Sequence, residues 1–277
     1  MHPLVALSAG LVLQMKAPTR TPTSTAGVLW DVDGTLVEST ELAFVATNEV
    51  LTSSGFPAVS VADYKIGCRY TTPERFNYHI GEPTGSPKGA ALGDTFDQTC
   101  VPDPLHPLHA LPWSATNSVT HCCSPHSYVA RVSAETAGLF YGIDRLLRSL
   151  ALAGHPQGAL SNACGEYVRA VVSANMLDEK PGERIGLFGI VRGADEVPAA
   201  KPAPDGLLVC CETLGVDPAC SVYVGDSPSD GKAARAAGMK SAGVLWGANG
   251  EEALRDHFDV ICADVPELVR ALRDLLA

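Results

Sequence analysis

An apolar run that ends in two aspartates and a glycine turn constrains this chain more than any other feature. In Gly27-Val-Leu-Trp-Asp-Val-Asp-Gly-Thr-Leu36 the hydrophobic residues predict a buried strand, with Asp31 and Asp33 at its end. Side chains two apart along a strand share a face, so the spacing predicts two carboxylates converging on one centre. Gly34 lets backbone N–H groups approach an anion closely.

Beyond this run, short apolar stretches alternate with segments of helical period, the pattern of a parallel sheet covered by helices. Strands are expected near 28–32, 157–161, 187–191, 221–225, 241–246 and 259–262, and helices near 41–53, 142–153, 165–175, 205–214, 229–237 and 265–276. More than a hundred residues separate the first two strands, far more than a β-α-β crossover needs, so a further unit is inserted after Glu38. The fold class expected is α/β, a doubly wound parallel sheet with an inserted α-helical unit.

Three more polar stations follow apolar runs or precede helices. Ser161-Asn162 comes after Gly158-Ala-Leu160, and Lys201 lies in Ala199-Ala-Lys-Pro-Ala-Pro-Asp205. Asp226 and Asp230 lie in Val222-Tyr-Val-Gly-Asp-Ser-Pro-Ser-Asp230. Each has an ordinary explanation taken singly: Ser and Asn are common N-caps, a lone lysine is usually on the surface, and an aspartate favours a helix N-terminus. All of them fall at the carboxyl ends of expected parallel strands, where ligands bind in open α/β sheets.

The motif Asp31-Val-Asp-Gly-Thr-Leu36, followed in order by Ser161-Asn162, Lys201-Pro202 and Gly225-Asp226 with Asp230, resembles the four motifs of the haloacid-dehalogenase-like superfamily. The resemblance covers roughly 26–277 apart from 101–131, and is nearest to phosphoglycolate phosphatases and β-phosphoglucomutase relatives. It implies a Rossmann-like core over 26–38 and 140–277, with an inserted helical cap domain over 39–139. It also implies Mg²⁺-dependent hydrolysis of a small phosphomonoester, of sugar phosphate or phosphoglycolate type. In that reading Asp31 is the nucleophile that forms an aspartyl-phosphate. Asp33 serves as general acid and then base. Lys201 offsets the negative charge developing on the transferred group. Gly34, Thr35, Ser161, Asn162 and Lys201 would contact the phosphoryl group. Asp31, the backbone carbonyl of Asp33, and Asp226 would bind Mg²⁺, with Asp230 behind them or joining them. Two alternatives stay open, a phosphomutase of the same superfamily and a catalytically idle binding or regulatory protein. Asp33 argues against dehalogenation, which needs no acid at that place.

Substrate choice is expected to lie in the inserted unit, where Tyr64, Lys65, Arg69, Tyr70 and Arg75 set cations beside aromatics; Arg69 is the binding residue expected there. Residues 101–131 break the helical pattern with five prolines and four of the eight histidines, and read as an irregular loop or foreign insertion. His121-Cys-Cys-Ser-Pro-His126 does not follow zinc-ligand spacing, and His155, in a helix-to-strand loop at the other end of the sheet, reads as structural.

Composition limits the partners. With 46% hydrophobic residues in 277, a sizeable core is available. A formal charge of −11 opposes phosphate-backbone binding, so no nucleic-acid partner is expected, and a phosphorylated substrate needs a locally cationic site. The apolar stretch near the N-terminus is interrupted by Pro3, Ser8 and Gln14, so no membrane partner is expected either. The nine cysteines include two adjacent pairs and fit free thiols in a reducing compartment. Residues 1–25 carry Lys16 and Arg20 and no acid, which suits either a tail or a transit segment. The location expected is therefore cytoplasmic or organellar, and the composition is silent on oligomeric state.

Overall fold

A computed structural model describes residues 25–97, 128–177 and 186–277. Strand β1 (Val28–Trp30) is central and fully buried. It is flanked on one side by β4 (Gln157–Leu160) and β5 (Ile190–Arg192), and on the other by β6 (Val222–Gly225), β7 (Lys240–Val244) and β8 (Val260–Cys262). The order is β5-β4-β1-β6-β7-β8, and every pairing is parallel. Strand order reverses on either side of β1, which opens a crevice at the carboxyl ends of β1, β4 and β6.

The period-2 alternation of β1 divides the apolar residues into two layers. Val28 and Trp30 join one cluster with Val222, Val224 and Ala159, while Leu29 points to the other with Tyr223, Leu160 and Leu207. Both faces of the sheet are therefore packed, as a parallel sheet requires. The covering helices α5 (Ile143–Leu152), α6 (Gly165–Ala174), α7 (Asp205–Leu214), α8 (Pro228–Ala236) and α10 (Val265–Leu275) lie within a residue or so of the segments expected to be helical, with a short α9 (Glu251–Leu254) between the last two. The doubly wound α/β sheet anticipated from the sequence is the fold observed.

Between β1 and β4 the chain leaves the sheet through β2 (Val37–Glu38) and returns through β3 (Gly138–Leu139), which pair antiparallel, Val37 with Leu139 and Glu38 with Gly138. The described part of this insertion holds α1 (Thr40–Ser53), α2 (Val61–Gly67), α3 (Thr72–Ile80) and α4 (Pro87–Asp97). Gly89 lets α4 close on α3: a Cβ there would lie 2.3 Å from the Pro73 carbonyl oxygen and 2.3 Å from Asn77 Oδ1. The insertion's Tyr64, Phe76, Leu92 and Phe96 belong to the same buried cluster as Trp30 and Val224, so insertion and sheet share one core.

Residues 128–131, the last four of the segment expected to be irregular, form an ordered turn. Tyr128 is 3% exposed and begins a short 3₁₀ turn (Val129–Arg131), and Arg131 is paired with Glu49 of α1 at 2.6 Å. The rest of that segment, with His121–His126, and the N-terminal segment lie outside the described residues. Among the described residues no helix is long and apolar enough to cross a membrane.

Candidate active site

Strand β1 ends at Trp30, so Asp31 and Asp33 stand in the turn that follows it. Their carboxylates consequently do not share a strand face. The Asp31 carboxylate turns toward Lys201, while that of Asp33 turns toward Ser39, Ser161 and two tyrosines. Both residues nevertheless line one cavity of about 90 Å³ between the sheet edge and the insertion. Gly34, at φ 73°, makes the turn possible. A Cβ there would lie 2.4 Å from Asp226 Oδ2, so the glycine also lets this carboxylate approach the β1 loop.

Lys201 is 4% exposed, and its ammonium donates to Asp31 Oδ1 at 2.7 Å, Asp230 Oδ1 at 2.7 Å and the Tyr223 hydroxyl at 2.8 Å. Its backbone is clamped by Asn162: the Asn162 amide donates to the Lys201 carbonyl at 3.0 Å, and the Lys201 N–H donates to Asn162 Oδ1 at 3.0 Å. Asn162 thus ties the β4 loop to the lysine loop while itself lining the cavity. Burial alone would depress the lysine's pKa, but Asp230 and Asp31 outweigh it and raise the value, so the ammonium stays charged.

Asp226 directly follows β6 and accepts from the Ala248 N–H at 2.6 Å. Asp230, in the first turn of α8, is fully buried. One of its oxygens closes a capping box with the Ser227 N–H at 2.9 Å while the other holds Lys201. A carboxylate oxygen from each of Asp31, Asp226 and Asp230 lies within 4.8 Å of the other two. Burial first, and the Asp230 charge second, hold the Asp31 carboxyl well above the usual carboxylate range, with Lys201 opposing. The same two causes push Asp226 up to about 7. Three crowded carboxylates facing one lysine are a donor set of hard oxygens short of positive charge, which fits a divalent cation such as Mg²⁺.

Asp33 is held by four hydroxyl groups. Ser39 donates to Oδ1 at 2.5 Å, Tyr167 makes a short bond to the same oxygen, Tyr128 reaches it at 3.5 Å, and Ser161 reaches Oδ2 at 3.3 Å. The ring of Tyr128 is stacked on Tyr167 at 4.3 Å and lies 4.5 Å from Phe96 of α4, so an aromatic column runs from the insertion to Asp33.

Other expected residues fall elsewhere. Thr35 is fully buried, its hydroxyl meets no partner among the described residues, and it does not line the cavity; its carbonyl accepts from Trp246 Nε1 at 3.1 Å. Arg69 donates to Asn249 at 3.0 Å and borders a separate surface hollow with Gly250, Glu252 and Ala253. Arg75, not Arg69, is the insertion's arginine in the cavity wall. Its signal was present in the sequence: Thr72, Arg75, Phe76 and His79 recur at helical spacing, and Thr72, Arg75 and Phe76 form the buried face of α3. Tyr167 also had a signal, since it falls in the first turn of the helix that follows Ser161-Asn162. His155 sits at the far end of the sheet, its Nδ1 3.2 Å from the Ala26 carbonyl.

Comparison with known proteins gives a consistent picture. Residues 25–238 match the haloacid dehalogenase-like hydrolase family. The phosphoglycolate phosphatase of Escherichia coli K12 is 34% identical over 146 residues, 52% of this chain and 55% of that protein. The chain's match thus spans about half the length of this relative. The phosphoglycolate phosphatase of Xanthomonas campestris pv. campestris strain 8004 is 27% identical over 247 residues, 87% of this chain and 93% of that protein. Among solved structures, a haloacid dehalogenase-like family hydrolase from Streptococcus pneumoniae superposes with a TM-score of 0.66 at 17% identity, over 90% of this chain and 99% of that one. CbbY from Rhodobacter sphaeroides, in complex with phosphate, gives 0.61 at 22% identity, over 86% and 93%. These two likenesses are of fold.

Proposed function

Because the chain belongs to the haloacid dehalogenase-like hydrolase family, we propose that it is a Mg²⁺-dependent phosphatase that hydrolyses a small phosphomonoester through an aspartyl-phosphate on Asp31. The observation that carries this reading is the contact of Lys201 with both Asp31 and Asp230 in a cavity also lined by Asp33 and Asp226. Nucleophile, cation, acid and metal-binding carboxylates then border the same small space. Relatives named phosphoglycolate phosphatase support a small substrate, as does the cavity of about 90 Å³.

The residues divide the work as follows. A carboxylate oxygen of Asp31 attacks phosphorus, the new O–P bond forms, and the ester P–O bond breaks. Asp33, protonated at this stage, gives its proton to the departing alkoxide. As a carboxylate it then takes a proton from water, whose oxygen attacks the phosphorus. The bond to Asp31 breaks and inorganic phosphate leaves. Lys201 balances negative charge on Asp31 and on the transferred group. Asp31, Asp226 and the Asp33 carbonyl would hold Mg²⁺, while Asp230, already engaged with Lys201 and Ser227, keeps the lysine in place. The bound cation would supply charge neutralisation at the phosphoryl oxygens. The helical insertion serves as the cap that shields this chemistry from water.

The test is phosphate release from a panel of small phosphomonoesters with and without Mg²⁺, run beside Asp31→Asn. Turnover that needs Mg²⁺ and vanishes in Asp31→Asn, with the circular dichroism of the variant unchanged, is expected. Absence of turnover across the panel, or substantial activity in the variant, overturns the reading.

A further inference from the structure

We propose that Asn249 is a positioning residue for Asp226, held in place by Arg69 of the insertion, so that Mg²⁺ binds more tightly when the insertion sits on the sheet as it does here. This rests on the phosphatase reading above, in which Asp226 binds Mg²⁺, and adds to it two residues outside the cavity wall that set the geometry of that carboxylate.

The loop between β7 and α9 packs its main chain directly on Asp226. The Ala248 N–H donates to Asp226 Oδ2 at 2.6 Å, and a Cβ on Gly247 would lie 2.2 Å from the same oxygen and 2.5 Å from the Gly34 carbonyl oxygen. No side chain fits between loop and carboxylate, so a shift of the loop moves the hydrogen bond that orients Asp226. Trp246 pins one end of this loop through the Thr35 carbonyl, at 3.1 Å. Asn249 pins the other end. It is 4% exposed, and its Oδ1 accepts from Arg69 Nε at 3.0 Å, joining the segment between α2 and α3 to the sheet domain.

Stability does not account for Asn249. Its Nδ2 is buried and meets no partner among the described residues, a penalty that an apolar side chain would avoid. What the amide supplies is an acceptor for the insertion, one residue along the chain from the N–H that aims Asp226. The planar peptide unit between Ala248 and Asn249 passes a displacement of one to the other. Releasing Arg69 therefore frees the loop, and a carboxylate that must first be ordered binds a cation less tightly. The coupling is reciprocal: the factor by which the Arg69 contact raises Mg²⁺ affinity is the factor by which Mg²⁺ favours the contact.

Charge alone predicts the reverse. If Arg69 acted on the metal site only through its field, removing this cation would tighten Mg²⁺ binding. The sign of the change thus separates positioning from electrostatics.

Calorimetric titration of the metal-free protein with MgCl₂ reads this without turnover, in wild type, Arg69→Met, Asn249→Leu and the double variant. Arg69 is exposed, so Arg69→Met removes the donor without opening the core. Each single variant is expected to weaken Mg²⁺ binding by about fivefold or more, and the double variant by no more than the larger single effect, because both changes break one hydrogen bond. Hydrogen–deuterium exchange gives the reciprocal measurement. Mg²⁺ should slow amide exchange over residues 61–80 in the wild type and leave it unchanged in Arg69→Met. Unchanged or tighter Mg²⁺ binding in Arg69→Met, additive losses in the double variant, or wild-type exchange over 61–80 that ignores Mg²⁺ overturns the proposal and leaves the phosphatase reading standing. A wild-type protein that binds no Mg²⁺ at all overturns both.

Discussion

The hydroxyl of Tyr167 donates to the carboxylate of Asp33 from the first turn of α6, and the ring behind it is stacked on Tyr128 at 4.3 Å. Asp33 is thereby restrained by a side chain from the far side of the insertion, 134 residues away in sequence.

The first prediction concerns that contact. Proton donation matters for a poor leaving group and little for a good one. Tyr167→Phe retains the stacked ring and is expected to lower kcat/KM for an alkyl phosphate by about tenfold while changing that for nitrophenyl phosphate by less than about twofold. Equal losses on both substrates would show that Tyr167 serves the fold and not Asp33.

Lys201 is bonded to both Asp31 and Asp230, and all three are almost fully buried. Removing one partner from a buried charged cluster leaves the others uncompensated, a loss of about 3–5 kcal/mol. Lys201→Met should destabilise the metal-free protein by about that amount in urea denaturation at neutral pH. A loss below about 1 kcal/mol would mean that the cluster tolerates the missing charge.

Magnesium should stabilise the wild type far more than Asp226→Asn. A ligand that binds only the native state raises its stability, so millimolar Mg²⁺ should lift the melting temperature of the wild type by several degrees. Asp226→Asn should lose most of this gain. In metal-free buffer at pH 8, however, the variant should be no less stable than the wild type, because burial and Asp230 push Asp226 up to about 7 and its ionised form is disfavoured. Differential scanning calorimetry with and without chelator checks both halves.

His79 provides a pH test. Burial, with the Arg75 charge adding to it, lowers the imidazole to about 4 from an ordinary 6.5. The unfolded chain therefore takes up this proton more readily, and stability present above pH 6.5 is lost as pH falls through 6.5 toward 4. His79→Gln should remove that contribution, so the stability difference between wild type and variant should shift by about 1–2 kcal/mol across the window, a figure reduced for the partly solvated ring. A difference independent of pH would show that the ring is not held neutral.

What could be read from the sequence depended on how locally each feature is encoded. Asp31, Lys201, Asp226 and Asp230 each sit beside an apolar run or at a helix start, so a window of a few residues places them at the sheet edge. Asp33 is less legible: strand alternation predicts that it shares a face with Asp31, but β1 ends at Trp30 and the turn gives the two carboxylates different partners around one cavity. Tyr128 and Tyr167 were not recognised because their contact joins segments on opposite sides of β4, and a tyrosine at helical spacing reads as core. Composition alone does not separate Arg69 from Arg75. The helical period of α3 puts Arg75 on the buried face with Phe76, whereas Arg69 lies between α2 and α3 and turns to Asn249.

The antiparallel pairing of β2 with β3 has a consequence for how such a chain diversifies. Its departure and return points are hydrogen-bonded neighbours, Val37 opposite Leu139 and Glu38 opposite Gly138, so the sheet senses the distance between those ends and not the number of residues looped out. Lengthening a loop whose ends are already closed adds only about 0.6 kcal/mol per doubling. The whole stretch from Ser39 to Ala137 is in this sense an exchangeable cassette. Transplanting another in its place would alter which molecules are admitted, and would leave Asp33 where it stands only if the replacement restored the hydroxyls of Ser39 and Tyr128 on its carboxylate and the apolar contacts with the sheet.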